Sequence, residues 1–239
     1  MSANCLLCDT PLTFQVGWLN AFGMQKEGCL CLKCSNELDE INGEICSICG
    51  RPFALLDSSF RFENECYDCA RWEQDEYWRG VLLKNRSIYS YNSFLKEIMA
   101  RFKFRSDAEL VKIFQQPLQK VFQKEFPKHL LVPIPLSGER KYERAFNQAE
   151  LIAELLRKPI LALIKVTNEE KQSKKNRIER LESKSPIFKF DPNFKQQTQS
   201  ADILIIDDIY TTGATIRHAA KELLTNEAKS VSSLTIARG

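Results

Sequence analysis

All nine cysteines of this chain fall between Cys5 and Cys69, and the 170 residues that follow contain none. Eight of them form four Cys-x-x-Cys knuckles: Cys5/Cys8, Cys31/Cys34, Cys46/Cys49 and Cys66/Cys69. A Cys-x-x-Cys turn aims two thiolates at one cation, and two such turns complete the tetrahedral shell that structural zinc prefers. Cys46-x2-Cys49-x16-Cys66-x2-Cys69 falls within the usual four-cysteine spacing, and Cys5-x2-Cys8-x22-Cys31-x2-Cys34 follows the same logic with a longer loop. Asp9, Thr10 and Pro11 follow the first knuckle, and Gly50 and Pro52 the third, as turns require. Two zinc-ribbon-like sites in tandem are expected, with Cys29 left as a spare thiol. Disulfides would need an oxidising compartment, and a redox Cys-x-x-Cys normally occurs once beside a βαβ pattern. Four thiolates leave no open coordination position, so the expected role of zinc is structural.

Charge divides the chain at the same place. Residues 1–70 carry a net charge of −6 and residues 71–239 a net charge of +9, inside an overall +3. The expected organisation is a metal-dependent ribbon module over 1–72 and a larger basic domain over 73–239. The chain has no apolar run near the ~18 residues of a spanning helix. Its start, MSANCLLCDT, lacks the basic and apolar regions of a secretory signal, so neither a membrane span nor export is expected.

From about residue 80, helical and strand patterns alternate. Short strands are expected at 87–91, 130–135, 159–166, 203–206 and 231–237, and helices at 94–104, 108–125 (divided or kinked by Pro117), 147–157 and from 215. This alternation predicts an α/β fold with a mostly parallel, helix-covered sheet. The most informative stretch runs from Ile203 to Thr215. Four apolar strand residues lead into Asp207 and Asp208, then Ile209-Tyr210 and the turn Thr211-Thr212-Gly213-Ala214-Thr215 open a helix. Ligands bind outside the carboxyl ends of strands in open α/β sheets. Backbone N–H groups and hydroxyls at a helix N-terminus favour phosphate, and glycine lets the backbone come close. The two acids would accept hydrogen bonds from ribose hydroxyls, directly or through hydrated Mg²⁺. Neither Walker A nor Gly-x-Gly-x-x-Gly is present.

Residues 203–215 resemble the signature of type I phosphoribosyltransferases. The resemblance implies that Asp207 and Asp208 meet the ribose hydroxyls of phosphoribosyl pyrophosphate, with Mg²⁺, and that Thr211–Thr215 wrap its 5-phosphate. Pro133–Arg140 followed by Arg144-Ala145-Phe146-Asn147-Gln148-Ala149, and Gln172 with Lys175-Asn176-Arg177 and Arg180, resemble two blocks of the ComF family. Knuckles ahead of a phosphoribosyltransferase-like domain are that family's architecture, and the likeness covers nearly the whole chain. It departs at Ala145, where the family usually has glycine; if this position needs positive φ, alanine strains it. Membership would imply a cytoplasmic role near the inner face of the membrane, in DNA uptake during natural transformation. Single-stranded DNA and a helicase-like ATPase, ComFA, are the implied partners.

The basic residues leave alternatives open. Arg101-Phe102-Lys103-Phe104-Arg105 has the composition of a platform on which bases stack and phosphates pair, and also that of an amphipathic helix end with Phe102 in the core. Lys171–Arg180, with Lys175 and Arg177, is either a lid, a strand-binding loop or a solvated loop. Arg140, Lys141 and Arg144 follow a strand end and are placed to meet pyrophosphate or DNA phosphate. Three functions compete: a DNA-uptake factor that binds single-stranded DNA and a ribose phosphate, an active transferase with an unknown acceptor, and a zinc-ribbon adaptor for an ATPase.

Overall fold

A computed structural model of the chain describes residues 4–12, 29–104, 107–166 and 186–239. The first four knuckle cysteines and the second four build the same unit twice. In each, the first knuckle is closed by a backbone bridge, Asn4 with Pro11 and Ile45 with Pro52. Between them Asp9 (φ 57°) and Gly50 (φ 70°) hold the left-handed turn that reverses the chain. The second knuckle of each unit opens a helix: α1 (Leu32–Asn36) starts from Cys31, and α2 (Tyr67–Gln74) from Cys66. A short hairpin of β1 (Arg61–Phe62) and β2 (Glu65–Cys66) leads into α2 in the second unit. The two zinc-ribbon-like units expected from the spacing are therefore present as a structural repeat.

The larger part begins with β3 (Asn85–Ser90) and the amphipathic α3 (Ser93–Phe104). The segment expected as one helix at 108–125 splits into a 3₁₀ stretch, Ala108–Phe114, and α4 (Gln115–Glu125). Pro117 explains the division. Its missing N–H and its ring are incompatible with the carbonyl four residues earlier, yet harmless in the first turn of a new helix. Next come β4 (Leu130–Pro133), α5 (Gly138–Arg144) and α6 (Gln148–Glu154). The strand expected at 159–166 shortens to β5 (Leu163–Lys165). It pairs antiparallel with β6 (Phe188–Phe190), outside the main sheet. The short α7 (Lys195–Thr198) precedes β7 (Asp202–Tyr210), α8 (Ala214–Thr225) and β8 (Ser230–Arg238).

Four strands form the central sheet in the order β3-β8-β7-β4, and every ladder between them is parallel. An isolated antiparallel bridge from Glu40 to Tyr89 attaches the connection between the ribbons to the outer edge of β3. Along β7, Ile203 and Ile205 face one core and Leu204 and Ile206 the other, the period-2 alternation of a strand covered on both faces. The first core holds Ile216, Ala219, Ala220 and Leu223 of α8 together with Cys46, Cys49, Cys66, Cys69, Trp72 and Trp78. The opposite core holds α3, the 3₁₀ stretch and α4, with Leu6, Leu7 and Leu30 of the first unit packed against it. The second cysteine quartet is thus part of the core that covers one face of the sheet. No helix among the described residues is long and apolar enough to cross a membrane.

Candidate functional site

Both quartets converge: within each, the four sulfurs lie within 4.8 Å of one another. Cys8 and Cys31 are 3.7 Å apart and Cys49 and Cys66 3.6 Å. A tetrahedron with Zn–S bonds of ~2.3 Å places its sulfurs roughly 3.8 Å apart, so the spacing fits. Backbone N–H groups of Cys49 and Cys66 donate to Cys46 Sγ at 3.5 and 3.3 Å, the contacts that stabilise a thiolate. Hydrogen bonds from Cys46, Cys66 and Cys69 pull the Cys49 thiol far below its usual range. The same crowding drives Cys69 far upward. Four sulfurs so close cannot each keep an ordinary proton, whereas one divalent cation satisfies them all.

The surroundings of the second quartet give a second indication. Arg217 is fully buried, donates to Tyr210 Oη at 2.8 Å and stacks at 4.7 Å over Trp72. Its Nε and second terminal nitrogen find no acceptor among the described residues. Arg238, also buried, donates to Cys49 Sγ at 3.5 Å. A divalent cation with four thiolates carries a net charge of −2, which adds to the Glu73 carboxylate beside Arg217 and to the Gly239 carbonyl oxygen that Arg238 meets. The quartets can hold two zinc ions. Cys29 stands outside both, half-buried, with burial raising its thiol above the usual range.

The second cluster lies at the carboxyl end of β7. The register pairs Ile206 with Pro133, after which β4 ends, so Asp207 and Asp208 continue with only β8 beside them in the sheet. Pro135 cannot donate to a ladder, which is why the strand expected through 135 stops early. Into the space so opened comes Lys103 from the last turn of α3, with Nζ 2.6 Å from Asp208 Oδ2. The backbone N–H of Asp208 donates to Asp207 Oδ1 at 2.9 Å. Burial, then the neighbouring Asp208 charge, push the Asp207 carboxyl up to about 7, against the pull of Lys103 and Lys165. Lys165, at the end of β5, is lowered from its ordinary value by burial and by Arg140 and Arg144, and raised by Asp207. Two acids and four cations from α3, α5, β5 and β7 therefore share one electrostatic neighbourhood.

Beside the acids, Thr211 and Thr215 are exposed, Thr212 and Ala214 half-buried, and Gly213 buried. Gly213 has φ +82°, and a Cβ there would stand 2.5 Å from Arg217 Nη1 and inside contact with Tyr210 Oη. Only glycine fits this turn, on both backbone and steric grounds. From it α8 runs twelve residues, with Arg217 N–H donating to Gly213 C=O at 2.9 Å. The turn's own carbonyls are held from the ribbon side. Arg238 donates to Thr211 O at 2.9 Å and Tyr210 O at 3.3 Å, and Trp72 Nε1 donates to Thr212 O at 3.1 Å.

The remaining expected positions divide clearly. Arg140 and Lys141 are exposed on α5, while Arg144 is half-buried and donates to Gln148 Oε1 at 3.1 Å. Ala145 ends α5 with φ 62°, so the position does require the left-handed region and alanine carries the strain there. Asn147 acts as a structural tie. Its side chain donates to Ile134 O at 3.0 Å and accepts from Ala149 N–H at 3.1 Å, joining the end of β4 to the start of α6. Lys175, Arg177, Gln172, Asn176, Arg180 and Arg105 lie outside the described residues. Over 101–103 the side chains do not build the base-stacking platform expected at 101–105. Phe102 is fully buried with its ring 5.6 Å from Phe146, leaving no face for a base. Lys103 is committed to Asp208, and Arg101 to Asp107 at 3.3 Å and the carbonyls of Leu6 and Leu7. Phe104 is the last residue of α3. Sequence reasoning missed Lys165, which sits in a strand with no charge pattern of its own, and the ribbon contacts of Trp72 and Arg238.

No family model matches the chain. The chain is 43% identical over 237 residues to a protein of Bacillus subtilis named competence protein ComFC, covering 98% of this chain and 94% of that one. It is 33% identical over 237 residues to competence protein ComFC of Streptococcus pneumoniae, covering 98% of this chain and all of the relative. A protein of Haemophilus influenzae named competence protein F is 22% identical over 216 residues, 81% of this chain and 90% of that one.

Proposed function

The chain belongs to the family of the competence protein ComFC, and from that premise we propose that it serves competence by binding a ribose phosphate at the end of β7 and handling single-stranded DNA. The observation that carries the first half is the cluster itself. Two adjacent carboxylates at a strand's carboxyl end stand among Lys103, Lys165, Arg140 and Arg144, beside a glycine turn that opens a twelve-residue helix. Acids select hydroxyls or a hydrated cation, cations select phosphate, and only a ligand bearing both uses the whole set.

Phosphoribosyl pyrophosphate with Mg²⁺ matches this arrangement. Asp207 and Asp208 would accept from the ribose hydroxyls or hold Mg²⁺ through water, which supplies charge neutralisation to the diphosphate. Backbone N–H groups and hydroxyls of Thr211–Thr215 would take the 5-phosphate at the start of α8. Arg140, Arg144 and Lys165 would meet the pyrophosphate. Lys103 holds Asp208 when no hydroxyl does. DNA binding rests on the family's competence role and on the net +9 of residues 71–239, which favours a polyanion.

The test compares wild type with Asp207→Asn/Asp208→Asn. Mg²⁺-phosphoribosyl pyrophosphate is titrated by calorimetry, and labelled single-stranded DNA at about 50 and 200 mM salt, where several phosphate contacts cost an affinity of about tenfold or more. Wild type is expected to bind both, and the double variant to lose the ribose phosphate. Absence of ribose-phosphate binding by wild type refutes the site. DNA affinity that is absent, or indifferent to salt, refutes the second half.

A further inference from the structure

The second cysteine quartet and the Thr211–Gly213 turn are too directly joined to be separate features. Arg238 reaches both, with one guanidinium nitrogen on Cys49 Sγ (3.5 Å) and the other on the carbonyls of Thr211 (2.9 Å) and Tyr210 (3.3 Å). Trp72 stands three residues after the ligand Cys69, on the helix that Cys66 opens, and its indole N–H holds Thr212 O at 3.1 Å. Arg217, stacked on Trp72, braces Tyr210 Oη, against which Gly213 packs. A trans peptide is planar, so the N–H of the following residue points away from each pinned carbonyl. The Tyr210 carbonyl is also held within the sheet by the Gly239 N–H at 2.9 Å, and holding the carbonyls of Thr211 and Thr212 on Arg238 and Trp72 turns the N–H groups of Thr212 and Gly213 away from these side chains. Those are the donors an anion at the turn would use.

We infer that the metal bound by Cys46, Cys49, Cys66 and Cys69 is a positioning device for the turn: through Arg238 and Trp72 it orients the backbone donors that receive a ligand's phosphate. The inference rests on the ribose-phosphate reading of that turn. Coupling is reciprocal, so a ligand at the turn is felt at the metal. Among the described residues the first quartet has no such link. Its unit packs on the opposite core, where Arg101 meets Leu6 and Leu7.

The test loads the full-length chain with Co²⁺, whose sulfur charge-transfer band reports the sulfurs' hydrogen bonds. Mg²⁺-phosphoribosyl pyrophosphate is then titrated into wild type, Arg238→Met and Trp72→Phe, following binding by calorimetry and the band by absorbance. Wild type is expected to bind with a shift of the band. Arg238→Met is expected to bind about 10-fold more weakly without the shift, from loss of its bonds to the Thr211 and Tyr210 carbonyls, and Trp72→Phe about 5-fold more weakly, from loss of its one bond to the Thr212 carbonyl. Metal content of two per chain is checked for each protein. Should Arg238→Met lose metal, Trp72→Phe decides, because it keeps an aromatic ring beside Trp78 and Arg217 and lacks the donor. Wild-type binding with a silent band and unchanged affinity in Trp72→Phe overturns the coupling alone. No binding by wild type overturns the ribose-phosphate reading, and the inference with it.

Discussion

Asp207 offers the sharpest quantitative check, because its environment opposes its charge. The carboxyl is pushed from 3.8 up to about 7 by burial and by Asp208. A folded-state value above the unfolded one means that between about pH 4 and 7 the native state holds a proton the unfolded chain has released. This group's stabilisation is thus full below about pH 4 and is lost as pH rises through about 7. At roughly 1.4 kcal/mol per pH unit, the whole shift corresponds to about 4 kcal/mol. Between pH 5 and pH 8 the expected change is about 2 kcal/mol, since part of the interval falls outside the window and the half-buried site is screened by solvent. Asp207→Asn removes the titration and keeps an acceptor for the Asp208 N–H. Urea unfolding of zinc-loaded wild type and variant, without ligand, at pH steps from 5 to 8 gives the difference in stability at each pH. That difference should shift in favour of the variant by about 2 kcal/mol from pH 5 to pH 8. A difference that stays flat across the series, or moves toward wild type, refutes the reasoning. The same variant should lose ribose-phosphate binding, so the residue would trade stability for function.

Two glycine–alanine exchanges should have opposite signs. Gly213→Ala meets a φ of +82° and a Cβ position 2.5 Å from Arg217 Nη1, so it should cost about 3 kcal/mol in urea unfolding, from backbone strain and overpacking together. A loss below about 0.5 kcal/mol would mean the turn adapts freely. Ala145→Gly, at an exposed residue with φ 62°, relieves about 1–2 kcal/mol of left-handed strain and loses up to about 1 kcal/mol to backbone entropy. Its melting midpoint should rise slightly or stay put, and a fall would show that the methyl group packs usefully.

Much of this architecture is legible because it rests on local spacing. Four knuckles announce two tetrahedral sulfur sites, and an apolar run ending in two acids and a Thr/Gly turn announces a strand, a crevice and a helix start. Residues whose roles depend on distant partners are not legible in this way. Lys103 reads as one cation of a cluster, yet the amphipathic spacing that buries Phe102 turns its neighbour toward Asp208, more than a hundred positions away. Lys165 belongs to a strand that leaves the main sheet, so no periodicity in the sequence brings it near Asp207. Trp72 reads as a core aromatic, and only the packing of α2 against the start of α8 shows that its indole N–H holds a backbone carbonyl.

The same contrast alters the meaning of the uneven charge. Net values of −6 and +9 suggest two modules held by bulk attraction, but exposed pairs of opposite charge contribute little. The contacts that join the parts are of another kind. Arg238 meets a sulfur and backbone carbonyls, Trp72 a carbonyl, Arg86 the Ser47 carbonyl at 3.1 Å, and Asn85 the Cys49 carbonyl at 3.0 Å. These are directional bonds, buried or partly buried except that of Arg86, and those to Cys49 and Ser47 depend on the shape of the knuckle at Cys46/Cys49. A metal held by the second quartet would therefore govern more than the fold of the first seventy residues. It would fix acceptors on which the core face of β7, β8 and α8 is assembled, and with them the turn that follows Asp207 and Asp208.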